Sequence, residues 1–119
     1  MGMELRVLGS SSSGNCYILD NGNEALIIEA GIRFIDVKKA LDFNIRKVVG
    51  CLITHQHNDH AKYAKAMVDC GFHVLALPEV IESKELKGSR VKAIKTGSGY
   101  LLGGFRVIPF PAFYDVPCV

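Results

Sequence analysis

One short segment of the chain holds three of its four histidines. His55, His57, Asp59 and His60 stand within six positions of the sequence HQHNDH. Imidazole nitrogens and a carboxylate oxygen are ligands that suit zinc, manganese or iron. Two histidines that are two residues apart in an extended loop can turn towards one point, while Asp59 and His60 can reach a second point as a helix begins. The pattern therefore predicts a metal site. The alternative is a polar loop in which Asp59 caps the next helix.

Helices and strands alternate around these residues. Apolar periodicity and turn residues predict strands at 4–10, 16–21, 24–30, 47–55, 72–78, 90–97 and 100–111, and helices at 33–43, 61–71 and 78–88. This order predicts an α/β fold with a mixed sheet. The histidine segment directly follows the buried strand 47–55, at the edge where open α/β sheets place their sites. His73 stands alone at a strand start, and we expect a structural role for it.

Composition limits the classes of function. The chain has 119 residues and a net charge of +2, which predicts one small globular domain and does not by itself indicate a nucleic-acid partner. A locally basic stretch runs from Lys84 to Lys95, and a solvated surface or a polyanion-facing surface would both explain it. No signal peptide or membrane-spanning segment is predicted, so we expect a cytoplasmic protein without membrane contact. The four cysteines (Cys16, Cys51, Cys70 and Cys118) form no CxxC pattern and are expected to be reduced.

Two segments resemble a known family. The string THQHNDHAKYA resembles the signature of the metallo-β-lactamase superfamily, and LGSSSSGNCYILDNGNEALIIEAGI resembles the opening of its bacterial and phage WalJ/YycJ-like branch. The first turn of that branch has a Gly-Ser-x-Ser-x-Gly-Asn character. It is matched here by Gly9, Ser10, Ser12, Gly14 and Asn15. Ser10, Ser12 and Asn15 would then border the site, or the segment is a plain tight turn.

The resemblance implies a two-metal hydrolase that commonly uses zinc, with manganese or iron as alternatives. His55 and His57 match the ligands of the first metal, and Asp59 and His60 match those of the second. A water held between the metals would be deprotonated near neutral pH and attack a phosphodiester, with nucleic acid as the possible substrate. Asp59 would have the additional catalytic role of orienting that water.

The sequence departs from the family pattern at two sites. Glu29 stands where the family usually has aspartate before Ala-Gly, and we expect a supporting hydrogen-bond role to survive the longer side chain. Near the end, Tyr114 stands where the family has a histidine ligand of the first metal. A phenol with an unperturbed pKa of about 10 is a poorer zinc ligand than imidazole. Either Tyr114 or Asp115 completes the set of ligands of the first metal, or neither residue is a ligand.

The chain is shorter than the domain of the family that it resembles. The family domain is about twice as long, so residues 1–119 would form a single truncated domain: the N-terminal half of an αββα sandwich, with helices on one face of a mixed sheet. Half a sandwich would leave one apolar sheet face uncovered, and this predicts a homodimer through that face. Three interpretations remain open: an active metallohydrolase, a catalytically inactive metal-binding or interaction module, and a fragment of a longer enzyme.

Overall fold

A six-stranded sheet forms the centre of the fold. The computed structural model describes residues 2–110. The strands follow one another across the sheet in the order β1 to β6, with β1, β2 and β3 antiparallel and β3 to β6 parallel. Their bounds are Glu4–Ser11, Gly14–Asp20, Ala25–Ile28, Val48–Ile53, Val74–Ala76 and Val91–Ala93. A separate hairpin consists of β7, Tyr100–Leu102, and β8, Phe105–Val107. The predicted α/β class with a mixed sheet is confirmed.

The helices cover one face of the sheet, as predicted. Ile18, Ile27 and Cys51 lie opposite one another on neighbouring strands, and all three are fully buried on this face. Apolar helix residues such as Val37 and Met67 belong to the same core. The helices are α1, Phe34–Ala40; α2, Asn58–Ala61; α3, Ala64–Asp69; and α4, Pro78–Ser83, with a turn of 3-10 helix at Ile45–Lys47. Within the described part of the chain, none of these helices has the length and apolar character to cross a membrane.

The opposite face of the sheet differs from the prediction. Leu26, Leu52 and Leu75 on this face are buried because the β7–β8 hairpin packs against them through Leu102 and Phe105. The centre of this face is therefore covered by the chain itself. The expectation that the whole face is uncovered was wrong. Two side chains at the β1 edge, those of Leu5 and Val7, are each 57% exposed.

Two further segments differ in detail. The predicted helix 61–71 is divided into α2 and α3, since Tyr63 donates its backbone N–H to the Ala30 carbonyl at 2.8 Å and leaves the helical pattern. The closing segment forms two strands, because the turn at Gly103–Gly104 folds it back on itself and Gly103 adopts a φ of 56°. Tertiary contacts decide both features.

A buried ion-pair network holds the antiparallel edge of the sheet. Asp20 is 5% exposed and accepts hydrogen bonds from Lys47 at 2.8 and 3.0 Å, from Arg6 at 3.0 Å and from the Gly22 N–H at 2.8 Å. The hydrogen bond from Lys47 is the main cause that lowers the pKa of the Asp20 carboxyl. The network joins β1, β2 and the 3-10 turn before β4.

Candidate metal centre

The histidine segment lies at the carboxyl end of β4. The strand ends at Ile53, and α2 begins at Asn58 after an extended His57 with φ −66° and ψ 149°. The His57 carbonyl accepts the backbone N–H of His60 at 2.9 Å. His60 therefore lies in the first turn of a short helix, and His55 lies in the loop before it. This change from strand to helix brings residues from both elements to one edge of the sheet.

Three potential ligands converge at this edge. The potential ligand atoms of Glu29, His55 and His60 all lie within 4.8 Å of one another. The ring centroids of the two histidines are 4.5 Å apart. Asp59 adjoins the group, with its Oδ2 atom 3.6 Å from His60 Nε2. Three of the four predicted ligands thus lie together.

The fourth predicted ligand, His57, is placed differently. Its side chain is exposed, and it is outside the group formed by Glu29, His55 and His60. It is the residue immediately before α2. Ligation by His57 stays a prediction. Tyr114 and Asp115 lie outside the described residues.

Glu29 is a buried acid at the base of the centre. It is 5% exposed and has a φ of 69°, a left-handed conformation that is uncommon for residues other than glycine. Its Oε1 atom accepts the Thr54 N–H at 3.1 Å, its Oε2 atom accepts the Thr54 hydroxyl, and the same Oε2 atom is 3.5 Å from His60 Nδ1. The supporting hydrogen-bond role expected of this acid is confirmed.

Thr54 links Glu29 to His55. The Thr54 hydroxyl oxygen is 2.7 Å from His55 Nδ1. An ionised carboxylate can only accept, so the hydroxyl donates to Glu29 and accepts from His55. This arrangement keeps the proton on Nδ1 of His55 and leaves Nε2 with the lone pair that a metal ligand needs.

The group meets the chemical requirements of a divalent metal. Two imidazoles and carboxylate oxygens are the donors that zinc, manganese and iron accept. In addition, the buried Nδ1 atom of His60 makes no hydrogen bond among residues 2–110, since its 3.5 Å contact with Glu29 Oε2 lacks hydrogen-bond geometry. Buried polar atoms are nearly always satisfied, so this exception is consistent with a site that is complete only with a bound ion.

The serine-containing hairpin approaches the same site. The turn itself is short, because β1 extends to Ser11 and β2 starts at Gly14. Ser10 and Ser12 are exposed, whereas Asn15 is buried and its amide nitrogen is 3.1 Å from the Asp59 carbonyl and 3.3 Å from its Oδ2 atom. Asn15 therefore touches the predicted catalytic acid. For Ser10 and Ser12, the site-bordering role stays a prediction.

A glycine allows the close approach of these elements. A β-carbon on Gly31 would lie 2.0 Å from the Asp59 carbonyl oxygen and 2.7 Å from the Asn15 nitrogen. The Gly31 N–H donates to the Asn15 carbonyl at 3.0 Å, and the neighbouring Ala30 N–H donates to the His60 carbonyl. The segment Glu29–Gly31 thus connects β2 and α2 beside the centre through backbone hydrogen bonds.

The sequence did not reveal that Glu29 lies close enough to His55 and His60 to be a potential ligand. The signal available was its position at the end of β3, next to β4 in the sheet. Parallel neighbouring strands end at the same edge, so an acid after one strand meets histidines after the other.

The comparison with a family model defines the class of protein. Residues 10–69, about half of the chain, match the model of the metallo-β-lactamase superfamily. The chain therefore belongs to this superfamily, and the predicted superfamily is confirmed. Members of this class bind metal ions, commonly zinc.

A particular relative agrees with the predicted branch. Exodeoxyribonuclease YycJ of Bacillus anthracis is 35% identical over 65 residues, a segment that covers 52% of this chain and 25% of that protein. The match thus concerns a quarter of the relative's length.

Solved structures share the fold at low sequence identity. The metallo-β-lactamase fold protein YhfI of Bacillus subtilis has a TM-score of 0.73 and 15% identity over 98% of this chain and 55% of that chain. The chemotaxis sensor ODP, in a peroxy diiron species, has a TM-score of 0.70 and 16% identity over 90% and 49%. The B3 metallo-β-lactamase BLEG-1 has a TM-score of 0.64 and 20% identity over 87% and 58%. The chain spans about half the length of these structures.

Proposed function

We propose that this chain carries the metal-binding part of a metal-dependent hydrolase that cleaves phosphodiester bonds in nucleic acid. The observation that carries the proposal is the meeting of His55, His60 and Asp59 with the buried Glu29 at the carboxyl end of β4. Membership of the superfamily supports metal-dependent hydrolysis, and the exodeoxyribonuclease relative supports nucleic acid as the substrate.

The proposed ligands are His55, His57, Asp59 and His60, with zinc as the expected metal and manganese or iron as alternatives. When bound, the metal would supply Lewis acidity and lower the pKa of the attacking water. In a two-metal arrangement, His55 and His57 would hold one ion, and Asp59 and His60 would hold the other. Tyr114 and Asp115 remain candidates for completing the shell.

The chain's own residues have distinct tasks in this proposal. Thr54 and Glu29 hold the proton on His55 Nδ1, so Nε2 would be the atom that binds the metal. Asn15 donates a hydrogen bond to the Asp59 carboxylate and holds it in place. Asp59 would then orient the attacking water by accepting its hydrogen bond. Such fixed donors and acceptors lower the cost of reorganisation during the reaction.

A second candidate is a catalytically inactive metal-binding or interaction module. The observation that favours it is the exposed side chain of His57, outside the group formed by Glu29, His55 and His60. A module of this kind would bind an ion without holding the attacking water in a productive position. The hydrolase and a metal-binding module therefore differ in hydrolysis, and an interaction module differs from the hydrolase in metal content as well.

Metal content is the first test, and hydrolysis is the second. Elemental analysis of the purified chain should give stoichiometric metal, which the His57→Ala and His60→Ala variants lose. Gln56→Ala is the matched control, since Gln56 is an exposed residue of the same loop. A single-stranded oligodeoxynucleotide and bis-p-nitrophenyl phosphate then serve as substrates. Cleavage supports the hydrolase, and metal without cleavage supports the inactive metal-binding module. Absence of metal overturns the hydrolase and supports the interaction module or a fragment of a longer enzyme.

We also propose that the chain forms a homodimer through the part of the sheet face that the hairpin leaves open. Leu5 and Val7 on the edge strand β1 are each 57% exposed, and exposed apolar patches of this kind are typical of interaction sites. Sedimentation velocity should give a dimer that Leu5→Lys dissociates. A monomeric parent protein would contradict this.

A cytoplasmic location is proposed in addition, supported by the free thiols of Cys16, Cys51 and Cys70.

A further inference from the structure

A basic cleft lies on the hairpin side of the sheet, away from the metal centre. It has a volume of about 370 Å³, and its lining includes His73, Ser89, Arg90, Lys92 and Tyr100. His73 and Arg90 immediately precede β5 and β6, whose amino ends are opposite to the edge that carries the metal centre. The basic cleft and the metal centre are thus two separate sites.

The sheet geometry explains why cationic groups gather in the basic cleft. Lys92 pairs with Leu75, so both side chains lie on the hairpin face of the sheet. Arg90 is the turn residue before β6, and it lines the same cleft as Lys92. The carbonyls of His73 and Arg90 accept backbone N–H groups of the neighbouring strands at 2.8 and 3.0 Å. The backbone that carries these side chains is consequently fixed.

The positive charges of the basic cleft are not neutralised. No acidic residue lines it. Among residues 2–110, neither Arg90 nor Lys92 has a carboxylate within ion-pair distance. The Lys92 ammonium lies 5.4 Å from the centre of the Tyr100 ring, whose hydroxyl accepts the Lys95 N–H at 2.9 Å. An aromatic ring holds this cation without cancelling its charge. The cleft is therefore complementary to an anion.

We propose that the basic cleft binds phosphate groups of a single-stranded nucleic acid, an inference that rests on the proposed function and adds a second contact for its substrate. Arg90 suits bidentate contact with phosphate, and Lys92 adds a point charge. Tyr100 and the 77% exposed Leu101 provide apolar surface beside the cations. Grooves for single strands combine these two features, because unpaired bases present their faces. The volume of the cleft, about 370 Å³, suits a nucleotide-sized group.

Binding to a labelled single-stranded oligodeoxynucleotide tests the inference, measured by fluorescence anisotropy with excess chelator so that hydrolysis does not interfere. The double variant Arg90→Gln/Lys92→Gln should raise the Kd roughly tenfold and reduce the salt slope by about 1.4, since each lost contact to a single strand removes about 0.7. The matched control, Lys39→Gln/Arg46→Gln, removes the same charge from exposed positions outside the cleft and should change the Kd by less than about twofold.

Three results would overturn the inference: no binding by the parent protein, an equal loss in both double variants, or orthophosphate binding as tight as that of the oligonucleotide. An independent measurement on the parent protein uses NMR. The amide signals of Arg90 and Lys92 should shift on addition of the oligonucleotide, and that of Lys39 should not. The binding measurement uses chelated protein, so it would stand even if the chain neither bound metal nor hydrolysed its substrate. Conversely, if the basic cleft did not bind the oligonucleotide, the measured metal content would be unaffected.

Discussion

The hydroxyl oxygen of Thr54 lies 2.7 Å from Nδ1 of the next residue, His55, and the same hydroxyl donates to the buried carboxylate of Glu29. One small side chain therefore sets the proton position of a predicted metal ligand. Outer partners of this kind typically change metal affinity about 10- to 100-fold when they are removed.

Replacing Thr54 tests this relationship. Thr54→Val keeps the shape of the side chain but removes the hydroxyl, so metal affinity should fall by about tenfold or more, measured by competition with a chelator. Thr54→Ser is the control, because it retains the hydroxyl and should retain most of the affinity. Long-range ¹⁵N NMR of the His55 ring should show Nδ1 protonated in the parent protein. A ring protonated on Nε2 would contradict the assignment.

Gly31→Ala should disturb the metal centre and the fold together. The new β-carbon would meet the Asp59 carbonyl oxygen at 2.0 Å, so α2 or the Glu29–Gly31 segment must move. Overpacking of this kind costs about 1–3 kcal/mol of stability, measurable by urea unfolding, and metal affinity should fall with it. Gly99→Ala is a matched control, since its nearest atoms lie at 3.9 Å. Equal effects of the two substitutions would contradict the role given to Gly31.

The stability of the chain should depend on the ionisation of Asp20. Because Lys47 lowers its pKa below the ordinary value of 3.8, the unfolded state binds the proton more readily than the folded state. The stabilisation is therefore fully present above pH 3.8 and is lost as the pH falls through the lower pKa of the folded state.

Asp20→Asn measures this contribution. At pH 7 it should destabilise the protein by about 1–3 kcal/mol in urea unfolding, and the difference from the parent should shrink as the pH falls below 3.8. Asp36→Asn removes the carboxylate of an exposed ion pair with Arg33 and should have little effect. A difference for Asp20→Asn that stayed constant down to the lowest pH would show that its ionisation is not responsible.

Two buried thiols should resist alkylation in the folded protein. Burial raises the pKa of Cys16 to about 12 and raises that of the fully buried Cys51 well above its ordinary value. At pH 8, iodoacetamide followed by peptide mass spectrometry should find both thiols unmodified until urea unfolds the chain. Rapid modification of either in the folded protein would show that the helix-covered core opens readily.

Much of the fold could be read from local patterns. The apolar run 47–55 predicts a buried strand, and the alternation of strands and helices predicts the mixed sheet. The residues at which each helix and strand begins and ends were harder to predict from the sequence. Tyr63 interrupts the predicted helix 61–71 because its N–H bonds to Ala30, which is distant in sequence. The hairpin over Leu52 also depends on a long-range apolar contact that no local pattern contains.

The sequence by itself indicated the types of the candidate ligands and the edge of the sheet where they gather, because HxHxDH at the end of a buried strand restricts both. Only the tertiary structure decided which side chains meet. It brought Glu29 and Asn15 to the centre and left the His57 side chain exposed, outside the group formed by Glu29, His55 and His60. The physical reason is that Glu29, Asn15 and His60 belong to separate elements, and their distances depend on strand order and on the close packing that Gly31 permits.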